Sequence, residues 1–450
     1  MTIDRRRLRQ LRLAEEERFR QRTPTSARLT DRAERHLPGG VPMSWMRGLF
    51  RTPPLYVSHG EGPRFVDVDG NAYLDFNLCD LSMTMGYGAP LITRAVAEAA
   101  ARGAHYLLPV EGAIEVAEML AARVGMPFWQ FTLSASGANT EVIRIARTAT
   151  GRETVILFGG HYHGHLDDTL VIEQDGRSVP SLLGLPSGIS GRTEILPFND
   201  LGAVEARLAR GDVALVLTEP ALTNCNLVLP QPGFLAGLRD VTRRHGTLLC
   251  LDEAHTFQFA YGGLVGAWSL EADFVVLGKG LGSGIPFGLY GMSEEIAGLF
   301  RRHLDVDIGP AGIATGGTTY ASAVAIAAAR AALRDVLTPE GYARLDMLGG
   351  RLAGGLDDLF ARHGLPWRAF RLGPRSGYCL SPDLPRNGAE AAASLDVELI
   401  DTRRVFMANR GCWDAVASAG PQASAHDEAD IDAYLAVADA FLAEITGRTG

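Results

Sequence analysis

The sequence predicts an α/β fold: a large domain with a mostly parallel central sheet flanked by helices, and a smaller α+β domain built from the N- and C-terminal segments. Two patterns predict the large domain. Short, nearly continuous apolar runs alternate with helical periodicity after residue 100, as expected of parallel strands buried on both faces. Four of those runs also end in distinctive polar residues, and open α/β sheets collect ligands beyond the carboxyl ends of their strands. The small domain is predicted by a β-meander at residues 55–76 (…YVSHGEGPRFVDVDGNAYLDF), turning on Asp69-Gly70, and by "SGYCLSP" and the acidic helix "DEADIDAYLAVADAFLAEI" near the end. The predicted segments are 1–85 (N-terminal helix and meander, part of the small domain), 86–335 (large domain) and 336–450 (remainder of the small domain).

Within the large domain, "EGAIEVAEMLAARV" (111–124) and "NTEVIRIARTAT" (139–150) read as helices. The strand "TVILF" (154–158) follows. "AVEARLARG" is a helix leading into "VALVLT" (213–218), and "GFLAGLRDVTRRHG" is another leading into "TLLCL" (247–251). "DFVVLG" (273–278) is the last of these strands, and "ASAVAIAAARAALRDVL" (321–337) a long Ala-rich helix.

With 450 residues, 46% of them hydrophobic, the chain can bury a large core. A net charge of -9 argues against nucleic acid as the main partner, and no apolar run approaches a membrane span. Five scattered cysteines without a CxxC pair fit reduced thiols in a cytoplasm rather than a disulfide or zinc framework. Eleven arginines fall in the first 36 residues. The three glutamates Glu15–Glu17 among them make that segment a mixed-charge helix docking on the body or on a partner subunit.

Lys279, in "LGKG", is the only lysine; every other residue in the Lys plus Arg total of 43 is arginine. Arginine serves ion pairs as well or better, but it cannot lose its proton and act as a nucleophilic amine. The strand ends supply the context. "TVILF" runs into "GGHYHGH" (159–165), "VALVLT" into Glu219, "TLLCL" into Asp252-Glu253 and "DFVVLG" into Lys279. Any one of those carboxylates could be a plain helix cap. Together with the lysine they match what pyridoxal 5′-phosphate (PLP) requires: a lysine for the Schiff base, an acid on the ring nitrogen and a phosphate cradle. "LSASGANTEVIR" (133–144) offers the cradle, with small hydroxyl residues and Gly just before a helix N-terminus.

These residues resemble the class III PLP-dependent aminotransferases of fold type I, and most closely the glutamate-1-semialdehyde aminomutase-like branch. The resemblance spans roughly residues 36–435 and rests on "LPGGV", "VDVDGNAYLDF", "HYHGH", "TEPALTN", "LLCLDEAHT", "VLGKGLGSGIPFGLYG" and "GGTTYASAVAIAAA". It implies that Lys279 binds the cofactor covalently and shuttles a proton, and that Asp252 pairs with the pyridinium nitrogen. It implies that Tyr162 stacks on the ring, unless it is an ordinary core aromatic. Ser134, Ala135 and Ser136 match the family's phosphate loop, and Glu219 and Asn224 would line the pocket. Thr318 matches the threonine that reaches the phosphate of the other subunit, which implies a homodimer with shared active sites.

The chain also departs from the family. Ala254 replaces a valine. His255 stands close to the position of the cofactor's phenolic oxygen, either hydrogen-bonded there or merely packed. Arg47 lies where the branch handles the substrate carboxylate, flanked by Trp45. Asp80 replaces an aromatic of the substrate channel. It suits a substrate with a cationic or hydroxylated end, or it is a structural Asp bonded to backbone. No carboxylate-gating arginine is evident in 410–422. The function expected from the resemblance is a ping-pong aminotransferase acting on an amine or amino-acid donor and a keto or aldehyde acceptor. The alternatives are an aminomutase or amino-acid epimerase on the same scaffold and, ranked last, a non-catalytic PLP-binding module. No metal is expected.

Overall fold

The computed structural model describes residues 3–48, 54–303, 312–414 and 420–447. The end of "PMSWMRGLF" and the centre of the 410–422 stretch lie outside the described residues. The chain divides into two compact units. One is Met1–Ala89 with Ala343–Leu384 and Ser394–Gly450; the other is Pro90–Tyr342 with Pro385–Ala393. The nine-residue excursion 385–393 carries no compositional mark in the sequence.

The larger unit is organised by a seven-stranded sheet: β1 (Phe128–Thr132), β2 (Thr154–Phe158), β3 (Thr193–Leu196), β4 (Val213–Thr218), β5 (Leu248–Asp252), β6 (Phe274–Leu277) and β7 (Gly288–Met292). The spatial order is β1-β7-β6-β5-β4-β2-β3. Strands β3, β2, β4, β5 and β6 pair in parallel, and β7 runs antiparallel to both β6 and β1. Six strands therefore share one direction. Every residue of β2, β4 and β6 is buried, which explains why these segments read as unbroken apolar runs rather than alternating ones.

The helix Ala135–Thr150 covers one face of this sheet. Ala138, Val142 and Ile145 fall on one helical stripe and pack with Val155, Leu157, Leu215, Leu217, Cys250 and Val276. Each valine, leucine or isoleucine among them contributes about 1.5–3 kcal/mol by leaving water. The Ser134 side chain caps the start and Gly151, left-handed at φ 66°, ends the helix. The helix begins before the predicted Asn139, because the cap lies at the serine. The predicted helix 321–337 is Ala323–Ala331 followed by a π-helical turn, Ala332–Val336.

In the smaller unit, Val57–Glu61, Arg64–Asp67 and Ala72–Asp75 form the antiparallel meander, joined in parallel by Cys412–Trp413. The buried Asp67 carboxylate accepts the amides of Asp69 and Asn71 at 2.9 and 2.8 Å and so fixes the turn. The N-terminal helix Arg5–Arg22 docks on this same unit. It buries Leu8 and Phe19, and its Glu15 accepts from Arg410 at 3.0 Å and from Asn409 at 2.6 Å. Mixed charge is thus used for docking rather than for a free basic arm. Among the described residues all five cysteines are free thiols. No cluster there could hold a metal, and no helix is long and apolar enough to cross a membrane.

Candidate active site

The parallel order of β2, β4, β5 and β6 places their carboxyl ends along one sheet edge, and β1 points the same way. The residues that follow those ends are Tyr162, Glu219, Asp252, Lys279 and Ser134–Ser136. One edge therefore collects the lysine, two carboxylates, an aromatic ring and a helix N-terminus, all within the larger unit.

Asp252 ends β5 and is buried. Its Oδ2 accepts from Nδ1 of His163 at 2.9 Å and from Nδ2 of Asn139 at 2.8 Å, and its Oδ1 accepts the Ala254 amide at 2.9 Å. Burial alone would raise the carboxyl pKa; the His163 ring, the Ala254 amide and Asn139 outweigh burial and hold it below the usual value. The result is a carboxylate kept ionised inside the protein.

His163 and Asn139, the side chains that hold Asp252, are not singled out by the sequence reading. Beyond the turn that ends β2, successive side chains alternate in exposure. His161 and His163 point inward, with rings stacked at 5.5 Å, while Tyr162 between them is half exposed. His161 sets Nδ1 2.9 Å from the Phe158 carbonyl and Nε2 3.0 Å from that of Thr169, one of which takes its single N–H, and burial first and then its neighbour His163 push its pKa down to about 4. That parity was readable in "HYHGH". Asn139 lies about one turn into the Ala135–Thr150 helix, and its role shows only once helix and sheet are packed.

The phosphate-loop residues open that helix. Ser134 Oγ accepts the Gly137 amide at 3.2 Å, and Ser136 Oγ accepts the His165 amide at 3.1 Å, tying the "HYHGH" loop to the helix start. Two glycines allow close approach by the strands: a Cβ on Gly288 would lie 2.3 Å from the Ser134 carbonyl carbon, and one on Gly278 would lie 3.3 Å from Ala135 Cβ. Gly278 immediately precedes Lys279, whose own φ is +50°. Non-glycine residues rarely adopt this region, and such strain collects at functional positions.

Glu219 follows β4 and is buried. It accepts the Thr223 amide at 3.1 Å, the Thr223 hydroxyl, and Asn224 Nδ2 at 3.3 Å. The same hydroxyl meets Nδ1 of His255, which is also buried. His255 is therefore engaged through Nδ1 with Thr223, and Glu219 organises the loop that carries Asn224. Thr318 is exposed, and its carbonyl meets His105 Nε2. Trp45, Arg47 and Asp80 belong to the other unit. Trp45 is exposed, and Arg47 reaches the Gly39 carbonyl at 3.4 Å. Asp80 sits in a left-handed run of four residues, Leu78–Leu81, with φ between +44° and +70°.

PLP fits these residues. A buried carboxylate held as an anion suits a protonated ring nitrogen. A serine-capped helix N-terminus, approached by backbone that only glycine permits, suits a phosphate. The lone lysine follows β6, the strand beside the central β5.

The chain belongs to the class-III aminotransferase family, PLP-dependent enzymes of fold type I; that family matches residues 50–367. Its relatives include the glutamate-1-semialdehyde 2,1-aminomutase of Chloroflexus aggregans, 35% identical over 91% of this chain and 95% of that protein. The glutamate-1-semialdehyde aminomutase of Pseudomonas aeruginosa has a solved structure that superposes with a TM-score of 0.93 at 35% identity, covering 99% of this chain and 100% of that one. An omega-transaminase from Sphaerobacter thermophilus superposes with a TM-score of 0.85 at 29% identity, covering 93% and 97%.

Proposed function

We propose that this enzyme is a PLP-dependent isomerase of the aminomutase kind, moving an amino group between carbons of a single substrate. The observation that carries this reading is the likeness to aminomutases over nearly the whole chain, at higher identity than to the transaminase. It reverses the order expected from sequence, where the two-substrate aminotransferase came first. That second reading keeps one specific observation in its favour: Asp80 stands where the branch carries an aromatic.

Bound PLP supplies an electron sink for the carbanion left when a Cα–H bond breaks. The chain's residues do the rest. Asp252, locked by His163 and Asn139, keeps a proton on the ring nitrogen. Lys279 would anchor the cofactor covalently and, as an amine, would serve as the base that takes and returns the substrate proton. Tyr162 would face the ring, Ser134, Ala135 and Ser136 would hold the phosphate, and Glu219 with Asn224 would shape the wall. Trp45, Arg47 and Asp80 are assigned to substrate on the family resemblance.

The protein would work as a homodimer in which Thr318 serves the partner's phosphate. Supporting this, Leu91, Tyr106, Leu107, Leu108 and Ile114 leave large apolar side chains exposed. Light scattering gives the mass directly, and a monomer at micromolar concentration would end that part of the reading.

The deciding experiment supplies glutamate-1-semialdehyde, then a panel of amino acids and amines, with no carbonyl acceptor. Turnover of one compound to its isomer supports the isomerase. Stalling after one turnover, relieved by adding a keto acid, supports the aminotransferase.

A further inference from the structure

Glu141 is a buried carboxylate that the chemistry above does not use. It lies on the Ala135–Thr150 helix, about two turns beyond Ser134. Its Oε1 accepts the backbone amide of Gly316 at 2.8 Å. Gly316 has φ +98°, a conformation that suits glycine. Two residues later the chain reaches Thr318, whose carbonyl meets His105. Tyr290 is buried on β7, and burial and then the nearby Glu141 charge push its phenol up. The segment ahead of Thr318 is thus gripped from inside by a helix side chain, although the threonine itself lies on the surface.

A buried carboxylate is costly unless its interactions compensate. An apolar residue would fill the same space, so the acceptor for the Gly316 amide is what distinguishes Glu141. We propose that Glu141 is a positioning residue for Thr318. One helix then sets two phosphate contacts: its N-terminus cradles the protomer's own cofactor, and its Glu141 fixes the threonine offered to the partner's. This rests on the assignment of Thr318 to the partner's cofactor phosphate.

The test compares the affinity of the dimer for PLP with that for pyridoxal, which lacks the phosphate, by titrating apoprotein and following absorbance. Glu141→Met removes the acceptor, Glu141→Gln keeps one, and Thr318→Val removes the hydroxyl. We expect E141M and T318V each to weaken PLP binding by roughly ten- to a hundredfold, the effect of one lost hydrogen bond to a charged group. Pyridoxal binding stays unchanged, E141Q stays within about twofold of wild type, and the double variant E141M/T318V is no worse than T318V alone. If T318V weakens PLP binding and E141M does not, the role of Glu141 is overturned while that of Thr318 stands. Equal weakening of PLP and pyridoxal by E141M overturns it as well, since that is general loosening. If T318V has no effect, the assignment of Thr318 falls and this inference falls with it. Should E141M be insoluble, E141A, which only shortens the side chain, is read in the same way.

Discussion

His163 Nδ1 and Asp252 Oδ2 lie 2.9 Å apart, both side chains buried. An ionised carboxylate only accepts, so the proton of this bond resides on Nδ1. Asn139 donates to the same oxygen and the Ala254 amide to the other. Asp252 is therefore aimed as well as charged.

Replacing His163 tests that arrangement. His163→Phe preserves the bulk but removes the donor, and hydrogen bonds to charged groups contribute about 1.5–3 kcal/mol. We expect kcat to fall roughly ten- to hundredfold, with the ¹⁵N shift of the bound cofactor's ring nitrogen moving toward the unprotonated value. An unchanged ¹⁵N shift would reduce His163 to packing.

Lys279→Ala should abolish covalent attachment. Borohydride would then fix no cofactor to the chain, and turnover should drop by at least about 10²–10⁴-fold, the range for a lost general base. Residual turnover near wild type would remove Lys279 from the chemistry.

Gly288→Ala should loosen the phosphate cradle. The added methyl would sit 2.3 Å from the Ser134 carbonyl carbon and 2.8 Å from the Ala135 nitrogen, both backbone atoms that cannot rotate away. Strand β7 or the helix start must shift, and overpacking of this kind costs about 1–3 kcal/mol. The expected outcome is faster PLP loss on dialysis, followed by the decay of the visible band. Retention equal to wild type would show that the cradle tolerates the shift.

Glu253 provides a pH signature. It is fully buried and accepts the Leu264 and Val265 amides at 2.7 Å and the Thr256 hydroxyl at 2.9 Å. Burial outweighs those donors and raises its pKa from 4.5 to about 7. Between those values the folded chain holds a proton that the unfolded chain has released, so stability falls as pH rises from 4.5 to 7 and is level above. The window corresponds to about 3 kcal/mol at most. Asp252 has the opposite sign: its lowered pKa contributes stability above the unfolded value, lost on acidification below about 4. The Tm of Glu253→Gln, measured across pH 4.5–7, should slope less steeply than that of wild type. Parallel slopes would exclude Glu253 as the source.

Much of the site was legible because its residues stand at the ends of strands that sequence periodicity delimits well. Lys279, Asp252 and Glu219 each terminate an apolar run too short and too continuous for a helix. Asn139 and Glu141 were not legible: both sit inside a helix on faces that look merely buried, and their partners lie far along the chain. His163 stands beside Tyr162 in the same motif, but its partner Asp252 lies 89 residues further along the chain. His255 shows the opposite limit. Its proximity to the cofactor could be argued from the motif, but the hydroxyl of Thr223 that engages its Nδ1 comes from a loop whose path follows from Glu219. The excursion 385–393 has no local signature, because membership in a unit is a property of packing.

The scarcity of lysine has a practical side. A protein grown on ¹³C,¹⁵N-lysine would carry its label at Lys279 and nowhere else. Its side-chain ¹⁵N spectrum would hold one signal that needs no assignment, and the position of that signal would report whether the amine is free or condensed with a carbonyl carbon.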